Sequence, residues 1–238
     1  MTDTTDETIA TRGGEARGEK RPSREYTVGE EIANSITHGV GVAFSIAALT
    51  LLVAFAVLYG DTWALASGIV FGVSLILLYT GSTLYHALPF PKARHVFKII
   101  DHSAIYVLIA GSYTPFCLVT MRNDGGWWMF ALVWALAVVG ISTEGFWAYR
   151  PRWLSAVVYL LMGWLAVFMI SPMMANLDMR GLWLLVAGGL CYTVGTAFYA
   201  IKRVPYFHMV WHLWVLAGSA CHVAAVLLFV VPNVKPLY

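Results

Sequence analysis

Seven apolar runs follow one another along this chain, each long enough for a helix to cross a hydrocarbon core of about 30 Å, which takes about 20 residues. They cover roughly residues 32–59, 63–88, 102–121, 127–147, 153–175, 182–201 and 207–231. Helices are required, because a span in lipid must satisfy its own backbone hydrogen bonds, and none of the runs alternates as the strands of an outer-membrane barrel do. The predicted fold class is an all-α membrane protein, a seven-transmembrane helix bundle integral to the cell (inner) membrane. Only 12% of the 238 residues are charged, about half the share that covers a soluble domain, so a water-soluble globule is excluded.

The breaks between runs are short, so residues 26–238 read as one transmembrane domain. Residues 1–25 are polar and too poor in bulky apolar side chains to build a core, and they are expected to be a disordered cytoplasmic tail. They lack the apolar core and cleavage site of a signal peptide, so the first run is expected to remain in the mature protein. Cys117, Cys191 and Cys221 all fall inside apolar runs and read as buried single thiols, with no disulfide framework.

The basic residues fix an expected orientation. When the connecting segments are assigned alternately to the two sides, twelve of the fifteen Lys and Arg residues share a side: five in the tail, then Lys92, Arg94 and Lys98, then Arg150 and Arg152, then Lys202 and Arg203. Only Arg122, Arg180 and Lys235 fall on the other. The positive-inside rule then places the N-terminus in the cytoplasm and the C-terminus outside. Trp127, Trp128, Trp147, Trp153, Trp183 and Trp211 lie near run ends and read as an interfacial aromatic belt. Gly68 and Gly72, with Gly188, Gly189 and Gly195, read as close-packing positions between helices.

Composition does not explain one group of polar residues. Ser82 and His86 close the second run, Asp101 opens the third, and His208 and His212 open the seventh, all at run ends expected to be cytoplasmic. Ser82 and His86 are four apart, as are His208 and His212, and residues at i and i+4 share a helix face. Two histidines so spaced, joined by His86, would make a three-histidine metal site with an open fourth position, the arrangement of a catalytic zinc. Ionisable groups inside spans are costly and mark sites or pathways. Glu30, Asn34 and His38 recur every four residues on the first helix and read either as an interfacial first turn or as support for the site. His222 lies ten residues beyond His212 and so about 15 Å deeper, too far to share an ion, and reads as a mid-membrane hydrogen-bonding residue. His95 and His102 read as non-ligands, and Glu144 either pairs with Arg150 or Arg152 or faces the bundle.

On these residues the chain resembles the hemolysin III branch of the progestin and adipoQ receptor family, related more distantly to alkaline ceramidases. The resemblance runs from about Glu30 to Val231 and rests on EEIANSITHG, on Ser82 and His86 in STLYH, on Asp101 in DHSAIYVLIAGSYTPF, and on His208, His212 and His222 in FHMVWHLWVLAGSACH. It implies a zinc ion (Zn2+) held by His86, His208 and His212, with Asp101 near the ion or its water and Ser82 in supporting contact.

Three function classes follow as expectations. In the first, the chain is a zinc-dependent hydrolase of a lipid amide, with Asp101 carrying a proton from water to the leaving amine and Ser82 orienting a neighbouring group. In the second, a structural zinc ties helix ends together in a non-enzymatic protein of membrane homeostasis or cytolysis, although few buried charges line any wide polar pore. Ion transport is least favoured, because only His222 lies near the membrane middle. The expected partners are membrane lipids and a lipid substrate, not nucleic acid.

Overall fold

The computed structural model describes residues 26–146, 151–201 and 203–233. The tail over 1–25, Trp147, Arg150, Lys202 and Lys235 lie outside the described residues. Seven helices are long and apolar enough to cross a membrane: α1 (Val28–Tyr59), α2 (Thr62–Ala87), α3 (Pro91–Thr120), α4 (Arg122–Phe146), α5 (Trp153–Asn176), α6 (Met179–Ala200) and α7 (Phe207–Val230). No strand occurs among the described residues. The protein is a multi-pass membrane protein.

The helices are sorted as lipid-exposed helices should be, with apolar side chains outward and small or polar ones inward. On α1 the buried positions are Glu30, Asn34, His38, Gly41, Ser45, Ala48, Leu52 and Ala56, a stripe of period three to four. Ile32, Ile36, Val40 and Ile46 on the opposite face are exposed. In water this pattern would be inverted; in lipid it lets polar groups meet each other and small residues bring helices close. Helix α1 packs on α2, α2 on α3, and α6 on α7, and α1 closes against α7. Gly68 and Gly72 seat α2 against Leu52 and Leu49 of α1, as the packing reading expected.

Local chemistry sets the ends. Thr27 caps α1 in a reciprocal box: its hydroxyl accepts from the Glu30 amide and the Glu30 carboxylate accepts from the Thr27 amide. The helix therefore starts at Val28, a turn before the apolar run. Asp61 accepts from the Ala64 amide at 2.8 Å and caps α2.

The third helix departs most from the sequence expectation. It begins at Pro91, a residue pre-set for a first helical position, and not at His102. Its opening turns carry Lys92, Arg94 and Lys98 beside Val96, Phe97 and Ile99. A stretch of mixed character forms helix at an interface, where long basic side chains reach water past an apolar stem, but hydropathy alone does not count it. Asp101 thus lies about three turns inside α3 and does not open it.

Two other expectations are corrected. Trp211 is no belt residue: it is buried, its ring 5.5 Å from that of Tyr199, in the space that Gly195 leaves on α6. Trp127, Trp128, Trp153 and Trp183 are exposed, as a belt requires. Cys117 is buried, but Cys191 and Cys221 are half-buried; all three are free thiols.

Helix α5 is interrupted by a 3₁₀ segment over Trp164–Met169, which frees backbone groups that lipid cannot satisfy. Tyr113 of α3 takes them up. Its hydroxyl donates to the Gly163 carbonyl at 2.6 Å, with Met162 O at 3.2 Å, and accepts from the Ala166 amide at 2.8 Å. Tyr113→Phe is expected to destabilise the bundle by about 1–3 kcal/mol, read as a lower thermal midpoint in detergent; an unchanged midpoint would show that the interruption is satisfied in another way.

Candidate metal centre

Because α1 closes against both α2 and α7, the last turn of α2 and the first turns of α7 face each other across the opening turns of α1. His86, His208 and His212 meet there, each offering a ring nitrogen within 4.8 Å of the others. Ring centroids are 5.1 Å apart for His86 and His208, 5.2 Å for His86 and His212, and 4.6 Å for His208 and His212. The i, i+4 spacing on α7 and the shared depth of the α2 end therefore bring together the three residues singled out in the sequence. His212 is 1% exposed and His86 4%, so water does not solvate these rings freely.

The second nitrogens decide what the cluster can hold. His86 Nδ1 lies 2.6 Å from Glu31 Oε2, and a carboxylate can only accept, so Nδ1 carries the proton and Nε2 is left as a lone pair. His212 Nδ1 lies 3.2 Å from the Asn34 carbonyl and 3.2 Å from Thr37 Oγ1. That hydroxyl already has the carbonyls of Ala33 and Asn34 as acceptors, so the imidazole is the donor and again presents Nε2. A histidine whose far nitrogen donates to a carboxylate or carbonyl is the usual orientation of a metal ligand. The donor set, three buried imidazoles with two tautomers fixed this way, fits a zinc-type ion, and lone pairs converging without a cation would repel.

Helix α1 supplies the support. Asn34 is fully buried and packs its side-chain amide beside His86, 3.5 Å from Nδ1. With that nitrogen donating to Glu31, the amide N–H makes no hydrogen bond there, and the support Asn34 gives is its backbone carbonyl, which accepts from His212. His38 stacks face to face on His212 at 3.5 Å between centroids, with Tyr79 edge-on at 5.0 Å, so it braces the His212 ring and is not one of the converging three. Glu30 does different work from its neighbour: Oε1 accepts from the Tyr206 amide at 3.0 Å. Tyr206 has a left-handed φ of 61° just before α7, so the capping carboxylate of α1 also holds the turn that aims His208 and His212.

Ser82 and Asp101 line the same cavity as His208 and His212. Ser82 is fully buried, one turn before His86, and its Oγ has no hydrogen-bond partner among the described residues. Asp101 is 7% exposed and lies outside the three-histidine group. The cavity, about 100 Å³, runs on past Leu108, Ile109 and Val215 toward Tyr192 and His222. His222 stays apart from the cluster, as its spacing required.

Glu144 faces the bundle, fully buried. Its Oε2 lies 3.5 Å from His102 Nδ1, and its Oε1 accepts from the Tyr159 hydroxyl at 3.3 Å. His102 is thus committed to Glu144, which agrees with its reading as a non-ligand.

Sequence reasoning missed the part of Glu31 and Arg94. In the sequence Glu31 stands out only as part of EEIANSITHG and Arg94 only as a charge of a connecting segment. Arg94 forms an ion pair with Glu31 and lies over the Tyr85 ring at 5.6 Å. The available sign was position: Glu31 is three residues before Asn34, on the edge of the same face.

A sequence model of the family described as haemolysin-III related matches residues 26–223. The chain is 48% identical over 206 residues to the hemolysin-3 homolog of Bacillus subtilis (strain 168), covering 87% of this chain and 97% of that protein. It is 45% identical over 215 residues to hemolysin-3 of Bacillus cereus, covering 90% and 98%. More distantly, it is 28% identical over 217 residues to the Homo sapiens monocyte to macrophage differentiation factor, covering 89% and 87%. No solved structure gives a significant match. With its seven spans and the match over nearly all the described chain, the protein belongs to the haemolysin-III-related family.

Proposed function

We propose that the protein is a zinc-dependent hydrolase of a lipid amide, with His86, His208 and His212 holding the ion. The observation that carries this reading is the pair of fixed tautomers: Glu31 and the Asn34 carbonyl occupy the far nitrogens of His86 and His212. An ion so held, with an open position, would lower the pKa of water toward about 7 and polarise a carbonyl. The residues around it have separate tasks. Asp101, on the wall of the cavity, takes a proton from water and returns it to the leaving amine. Ser82, whose hydroxyl has no protein acceptor among the described residues, donates a hydrogen bond to the Asp101 carboxylate or the substrate carbonyl. The apolar wall of Leu78, Ile105 and Leu108 takes the acyl chain and keeps water from it. If this end of the bundle is cytoplasmic, as its basic segments lead one to expect, the site lies at the depth of a lipid headgroup's first polar bond.

A second reading is supported by the cavity's small size, about 100 Å³, and by the origin of the histidines on two helices. In it the ion only ties α2 to α7, and the protein acts without turnover in membrane homeostasis or cytolysis. The names of the Bacillus relatives, hemolysin-3 and its homolog, lean that way for those proteins.

Incubating the purified protein in lipid nanodiscs with N-acyl lipids, ceramide among them, and measuring released fatty acid separates the two. Hydrolysis by the unmodified protein is expected, falling at least about 100-fold in Asp101→Asn with metal content and thermal midpoint unchanged. No release from any lipid amide, with a lower midpoint in His86→Ala, would instead support the structural ion. Glu31→Gln is expected to weaken metal affinity about 10- to 100-fold in competition against a chelating dye; unchanged affinity would show that Glu31 does not orient His86.

A further inference from the structure

The deep end of the cavity has chemistry of its own. His222 of α7 is 7% exposed and lines the cavity. Its Nε2 lies 3.2 Å from the Leu185 carbonyl, an acceptor only, so the proton is on Nε2. Cδ2 and Nε2 are the atoms packed toward Gly188 of α6, which leaves the Nδ1 edge turned from that helix. Nδ1 is buried and has no hydrogen-bond partner among the described residues. With a charge at such depth being costly, Nδ1 is a lone pair awaiting a donor, and leaving a buried acceptor so is unfavourable.

Beside it is a short chain of hydroxyls. Tyr79 OH donates to Ser219 Oγ at 2.8 Å, and Ser219 Oγ lies 3.0 Å from Tyr192 OH. When Ser219 passes its own proton to Tyr192, the Tyr192 phenol has a proton left to give. The Tyr192 and His222 rings are 5.4 Å apart, edge to face, and both line the cavity. An acceptor and a donor are thus set together about 15 Å from the depth of His212, in a mostly apolar passage whose other hydroxyls here, on Ser112, Thr193 and Thr196, donate to carbonyls of their own helices.

We propose that this end of the cavity recognises a hydroxyl group on the distal part of an acyl chain, with His222 Nδ1 accepting from it and Tyr192 donating to it. A hydroxyl is both donor and acceptor and satisfies both groups at once; a plain hydrocarbon chain satisfies neither. The subsite rests on the reading of the cavity as an acyl-chain site, and its role is specificity, not catalysis.

Ricinoleic and oleic acids differ by one mid-chain hydroxyl and serve as the test pair. Their affinities for the detergent-purified, metal-loaded protein are measured by native mass spectrometry on the unmodified chain, His222→Phe and Tyr192→Phe. The expected result is about tenfold tighter binding of ricinoleic acid, abolished in His222→Phe by loss of the ricinoleic advantage while oleic acid still binds, and reduced in Tyr192→Phe. Equal affinities on the unmodified chain would overturn the subsite and leave the hydrolase reading standing, and need no variant to fold. A preference that survives His222→Phe would overturn the assignment to His222. Binding of neither acid would overturn the subsite together with the acyl-chain reading. Absence of amide hydrolysis with the hydroxyl preference intact would overturn the hydrolase alone.

Discussion

The hydrogen bond from His86 Nδ1 to Glu31, at 2.6 Å, is the contact on which the rest of the site depends. A carboxylate carried into a bundle at this depth needs compensation, and Glu31 finds it twice, in the imidazole N–H and in Arg94. In return it decides which nitrogen of His86 faces the other two rings. The Arg94 guanidinium comes from the amphipathic opening of α3, so three helices are tied at one carboxylate. Arg94, one of the basic residues from which an orientation is expected, thereby also neutralises the carboxylate that orients His86.

The same constraint, that hydrocarbon offers no partner to a polar group, explains the remaining polar contacts. Glu30 joins the first turn of α1 to the turn before α7. Glu144 is answered by His102 and Tyr159. Tyr113 collects backbone groups freed where α5 is interrupted. Each pairing also fixes a helix end or a break relative to its neighbour, so the bundle's polar contacts act as its registration marks, while apolar packing against lipid-like surfaces distinguishes poorly between one rotation of a helix and another.

Much of this was legible in the sequence. Seven spans followed from run length, and the three histidines followed from i, i+4 spacing combined with the side on which each run ends. The period-four recurrence of Glu30, Asn34 and His38 put them on one face, read either as an interfacial first turn or as support for the site, and all three are buried. The start of α3 was not legible, because an amphipathic interfacial stretch carries no hydropathy signal over a span-length window. Nor was Trp211, an indole near a helix end like the belt residues, which is inside only because Gly195 of another helix makes room. Glu31 and Arg94 were hidden for a related reason: their pairing joins residues 63 apart in the chain, and each had a sufficient local explanation. Spacing within a helix is written in the sequence; rotation of one helix against another is not.

Everything proposed for the site requires that His86, His208 and His212 hold one metal ion together. Metal content of the purified protein, prepared without chelators and measured by mass spectrometry for the unmodified chain and for His86→Ala, His208→Ala and His212→Ala, tests it most directly. About one zinc per chain is expected, lost in each of the three variants. Zinc absent from the unmodified chain, or retained in the variants, would contradict it and leave the three rings as a hydrogen-bonded contact between helix ends.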